Sequence, residues 1–153
     1  MVKRAVALWC LVLLAAACGA GVEPKPEILG VRLGMGREEA HARLRNIAEL
    51  EKEERRQQEV WRLTGDPSYT HLIVAYNKEY TSVRYVTAVA NEQGRRVRYA
   101  DVIDTRRARV ETTPASRTYT QEVPARPDQP GFVAKAIGSD STYLKYYSVE
   151  RAD

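Results

Sequence analysis

With 153 residues, a formal charge of +4, 44% hydrophobic and 29% charged residues, the chain is sized for one ordinary domain with a modest core. Without Lys3 and Arg4, which stand ahead of an apolar leader, 22 basic residues face 20 acidic ones, a balance too even for the clustered excess charge that nucleic-acid binding needs. Cys10 and Cys18, the only two cysteines, lie in or beside that leader, so the remainder is excluded from holding an internal disulfide.

Lys3 and Arg4 are followed by an unbroken apolar run of 13 residues, Ala5 to Ala17, and then by small residues. A bilayer-spanning helix takes about 20 apolar residues, so this run is read as the core of an export signal, residues 1–17. Leu14-Ala15-Ala16-Ala17-Cys18-Gly19 resembles a bacterial lipobox, in which small residues precede a cysteine that becomes the lipidated N-terminus; Ala15 stands where leucine is preferred. That resemblance implies lipidation at Cys18, a short spacer over 18–27 containing Pro24 and Pro26, and attachment at the cell envelope, with the outer membrane facing the periplasm as the expected site. Simple cleavage after Ala17 or Ala20, releasing a secreted or periplasmic protein, is the alternative.

Residues 28–153 read as a single α+β domain. Ile28-Leu29-Gly30-Val31-Arg32-Leu33 is a short apolar stretch ending at Gly34-Met35-Gly36. Glu38 and Glu39 then suit the positive end of a helix, and Ala40, Leu44, Ile47 and Ala48 recur at helical spacing, which places His41 on the charged side. Seven basic and seven acidic residues between Arg37 and Arg62 make a solvated helix surface and exposed connection the expectation for 49–59.

From Val60 the period switches to two. Val60–Leu63, Tyr69–Tyr76, Val83–Ala90 and Arg96–Ile103 are predicted strands, with turns at Gly65-Asp66-Pro67, Asn77-Lys78-Glu79 and Glu92-Gln93-Gly94. Residues 105–131 hold four of the seven prolines and read as a long surface connection with one edge strand across Thr118–Val123. A final hairpin is expected from Phe132–Ile137 and Tyr143–Glu150. No internal repeat stands out. The expected class is therefore α+β, one N-terminal helix packed on a mostly antiparallel meander sheet of five to seven strands.

Val31-Arg32-Leu33-Gly34-Met35-Gly36-Arg37-Glu38-Glu39-Ala40 resembles the opening of the SmpA/OmlA (BamE-like) family of small envelope lipoproteins, with the likeness covering about residues 31–90. That family usually has serine or threonine where Gly36 stands. The resemblance implies a helix followed by a meander and a scaffold role in the envelope; similar folds occur in secreted inhibitors of β-lactamase.

Chemistry is thinly supplied. His41 and His71 are the only histidines, with no metal-ligand spacing, and no cofactor is expected. His71 reads as a sheet residue, and Asp101 and Asp104 as an exposed edge and a turn former; a small hydrolase is the third-ranked reading. Two features fit a binding surface better. Seven arginines between Arg84 and Arg109 outnumber Glu92, Asp101 and Asp104, and nine tyrosines stand against one phenylalanine. Tyr146 and Tyr147 must point to opposite faces of one strand. The expected surface combines Arg84, Arg96, Arg98, Tyr85, Tyr99, Tyr146 and Tyr147. The leading function is a non-enzymatic interaction or scaffold lipoprotein that binds an envelope protein, not nucleic acid, with a secreted inhibitor-like binding module as the alternative.

Overall fold

The computed structural model describes residues 21–55 and 57–152, so the segment expected to be an export signal and Cys18 lie outside the described residues. From residue 21 the chain lies against the sheet domain: Pro24 is buried and Glu23 accepts from Arg126 at 2.6 Å. Strands β1 (Glu27–Ile28) and β2 (Val31–Arg32) form a small hairpin around Gly30. Helix α1 (Arg37–Leu44) follows, and it has only eight residues. A helix that short is marginal in water, so packing must hold it, and Ala40, His41 and Leu44 are its buried face.

Apart from one 3-10 turn, the remaining regular structure among the described residues is strand: β3 (Ala48–Glu54), β4 (Gln58–Leu63), β5 (Tyr69–Tyr76), β6 (Val83–Ala90), β7 (Arg109–Thr112), β8 (Arg117–Val123), β9 (Phe132–Gly138) and β10 (Tyr146–Arg151). They make one antiparallel sheet in the order β3-β4-β5-β6-β10-β9-β8-β7. This corrects the α+β expectation of a helix on five to seven strands: the protein is mostly β, 48% strand against 8% helix, with eight strands in the main sheet.

Three local errors account for the difference. The Glu-rich run at 49–54 is an edge strand, and edge strands need no apolar alternation; Arg62 and Lys52 pair with its Glu49 and Glu54. Residues 96–103 form no strand, because Tyr99 and Ile103 are four apart on a single 3-10 turn (Tyr99–Asp101) and its continuation, both buried against the sheet. The 105–131 stretch holds two strands rather than one, since its prolines sit between them, Pro114 in the β7–β8 turn and Pro124, Pro127 and Pro130 in the β8–β9 loop. Thr118–Val123 is thereby one strand in from the edge that β7 forms.

The sheet is two four-stranded meanders joined along β6 and β10, with Val86 opposite Val149. On either side of that seam the register matches: Val74 faces Val86 and Glu59, while Ala134 faces Val149 and Gln121. Glu59 and Gln121 are both buried. His41 of α1 bonds the first, and the Asp104 amide donates to the second. The two halves thus share a plan, in which a covering segment is pinned to the second strand of each meander by a buried polar side chain.

Leu72, Val74, Val86, Phe132, Ala134 and Val149 centre the core on one face of the sheet, covered by α1, the β1–β2 hairpin and the 91–108 segment carrying Val97, Tyr99 and Ile103. At the end of β9 the backbone of 143–144 crosses close over Gly138, where a Cβ would come within 2.3 Å of the Tyr143 carbonyl and 2.4 Å of the Tyr99 hydroxyl. Gly138→Ala is expected to cost about 1–3 kcal/mol, read by urea denaturation, because backbone rather than a flexible side chain must yield.

Candidate functional site

The face of the sheet that the described residues leave uncovered comes from the alternate residues of the same strands. One row crosses all eight strands as Lys52, Val60, Ile73, Thr87, Ser148, Lys135, Thr120 and Arg109. The next row runs Arg62, His71, Val89, Tyr146, Ile137, Thr118 and Glu111. Val60, Ile73, Val89, Tyr146 and Ile137 therefore form a half-exposed apolar band, and charged residues flank it on both sides. A partner-binding patch has this anatomy, an apolar centre within a polar rim.

The expected surface is only partly assembled there. Tyr85 and Tyr146 lie on this face, Tyr146 at 44% exposure, and Arg84 pairs with Glu150 at its end at 3.5 Å. Arg96 and Arg98 belong to the segment covering the opposite face. There Arg96 bonds Asp140 at 2.9 Å and stacks on Tyr143, and Arg98 bonds Asp101 at 2.7 Å. Tyr99 and Tyr147 are core residues at 2% and 5% exposure, because the apolar body of a tyrosine fills core space when its hydroxyl has a partner or reaches an edge. The opposite directions of Tyr146 and Tyr147 follow the strand alternation.

His71 is on the open face beside Glu51 at 3.1 Å and Thr70 Oγ1 at 3.0 Å. Asp101 is exposed and caps the 3-10 turn, and Asp104 is a buried turn former, its carboxylate receiving the Arg106 amide. Among the described residues no three His, Cys, Asp or Glu side chains gather as a metal site.

A second arrangement was not anticipated from the sequence. Glu59 is fully buried. Its carboxylate accepts from His41 Nε2 at 2.8 Å, Trp61 Nε1 at 3.0 Å, the Tyr76 hydroxyl at 2.8 Å, the Tyr80 hydroxyl at 2.6 Å and the Arg37 guanidinium at 3.2 Å. Arg37 also stacks over the Tyr80 ring at 4.2 Å. His41 is thus not on a charged outer side of the helix: it is 7% exposed and turned inward, because the buried carboxylate supplies what an apolar core would deny it.

Burial by itself would raise the Glu59 pKa, but the hydrogen bonds from Tyr80, His41, Tyr76 and Trp61 outweigh it and hold the carboxyl below its ordinary range. Tyr80 is pushed up to about 12 by its own burial and by donation to Glu59. The backbone at Tyr80 is left-handed, with φ +58°, an uncommon state for a non-glycine residue, and the Asn77 side chain braces the turn by accepting the amides of Thr81 and Ser82. The signal in the sequence was parity: Glu59 shares a strand face with Trp61 and Leu63, which puts an acid at an inward position.

No known protein family, no characterised protein and no solved structure matches this chain.

Proposed function

We propose that the protein is an exported, lipid-anchored interaction module of the bacterial cell envelope, which holds another envelope protein against the open face of its eight-stranded sheet and works by binding rather than catalysis. The observation that carries this reading is the apolar band Val60–Ile73–Val89–Tyr146–Ile137, which none of the described residues covers, on a sheet whose other face carries α1, the β1–β2 hairpin and the 91–108 segment. The leader and the Cys18 lipobox support the location and the tether.

The reading is tested with a photo-reactive phenylalanine analogue placed at Tyr146, at Ile73, or at the exposed helix position Ala42, in cells producing the full chain. Specific adducts with one envelope protein are expected from Tyr146 and Ile73 and not from Ala42; adducts from Ala42 alone, or from none of the three, overturn it. Tyr146→Ala is expected to weaken the captured complex about tenfold, in the range of an interface aromatic, while shifting stability by no more than about 0.5 kcal/mol. Palmitate labelling that disappears in Cys18→Ala is the expected result for the tether, whereas leader removal without labelling means a released protein and favours the secreted inhibitor-like reading.

A further inference from the structure

The buried carboxylate holds more than the fold. Beside it, between α1 and edge strand β3, lies a cleft of about 530 Å³ on the covered side of the sheet, away from the proposed docking face. Its lining includes Arg37, His41, Arg45, Ala48, Leu50 and Trp61. Three of these, Arg37, His41 and Trp61, are donors to Glu59, so one buried group fixes the orientation of a guanidinium, an imidazole and an indole at a single opening. An apolar side chain of similar volume would often stabilise a core as well as a buried ion pair does, so such a network serves geometry more than stability.

The charges around the cleft are unequally committed. Glu38 is engaged by Arg37 and Glu49 by Arg62. Arg45 pairs with no carboxylate among the described residues, which leaves its guanidinium free for an anion. Leu50, 46% exposed, supplies apolar surface beside the nearly buried Ala48 and Trp61. An opening with apolar walls and a few fixed polar groups is the usual form of a small-molecule site. We propose that this cleft binds a small aromatic carboxylate, its ring against Leu50 beside the rim of Trp61 and its carboxylate on Arg45.

Trp61 reports on the site directly. The chain's only other tryptophan is Trp9, so the full chain carrying Trp9→Phe emits from Trp61 alone. Titration with 3-phenylpropionate is expected to give a saturable change in that emission, about tenfold weaker in Arg45→Ala and in Leu50→Glu, as loss of one charge-assisted contact or addition of a repelling charge requires. Both positions are exposed, and a circular-dichroism spectrum unchanged from the parent confirms that each variant is folded. The uncharged 3-phenylpropan-1-ol is expected not to saturate. No saturable change with the acid, equal affinity for acid and alcohol, or full affinity in Arg45→Ala overturns the proposal; because the docking face is on the other side of the sheet, none of these outcomes alters the crosslinking result.

Discussion

Glu59→Gln is expected to remove about 3–5 kcal/mol of stability, a large share of the roughly 5–15 kcal/mol that holds a domain of this size. The carboxylate accepts from five donors, whereas an amide has one oxygen and turns a donating NH₂ toward the other set, so at least two of Arg37, His41, Trp61, Tyr76 and Tyr80 lose a partner inside the protein. Arg37 Nε is already buried without a partner, which leaves little local slack. Chemical denaturation at neutral pH checks the magnitude.

The pH dependence follows from the same bonds. The folded-state pKa of Glu59 lies below its ordinary value of 4.5, so its stabilisation is complete above that value and is lost as pH falls through the lower, folded pKa. The parent protein is expected to lose stability steeply on that acid limb. Glu59→Gln, having no proton to take up there, gives a flatter limb. Parallel limbs in denaturation series from pH 7 to pH 2 would count against the ionised, five-donor carboxylate.

Phe132→Ala is the second large effect, about 3–5 kcal/mol by the same measurement. Phe132 is fully buried on β9, opposite Val123 on β8 and Arg151 on β10, and it is the chain's only phenylalanine. Its loss opens a cavity that flanking strands cannot close without disturbing two ladders. The contrast with Tyr146→Ala is informative, because one aromatic stabilises the fold and the other is assigned to the partner. If Tyr146→Ala proves as costly to stability as Phe132→Ala, the open face is not a free surface.

Local patterning was legible wherever a single period ran cleanly. Tyr69–Tyr76 and Val83–Ala90 form strands with the bounds the alternation predicts, because both are interior strands with strong β-formers. The start of α1 was equally readable from Gly36 and the two following glutamates, but its end was not, since Ile47 and Ala48 continue the helical spacing while Ala48 pairs with Leu63 as β3 begins. For the site, the tyrosine-rich sheet was visible and its division between core and open face was not. Tyr99 and Tyr147 went to the core, and Tyr146, next to one of them in sequence, went outside.

The amino-acid sequence by itself carried the coarse bounds, a near-neutral chain behind an apolar N-terminal run, with strands where side chains alternate. Which strands meet was decided only in three dimensions. The seam of β6 and β10 joins residues about 60 apart, and the Glu59 network gathers α1, β4, β5 and the turn after it from positions 37 to 80. A lone acid in a strand carries no local sign of its donors; they become its partners only once the sheet has brought them within hydrogen-bond reach, and water is excluded around them at the same moment.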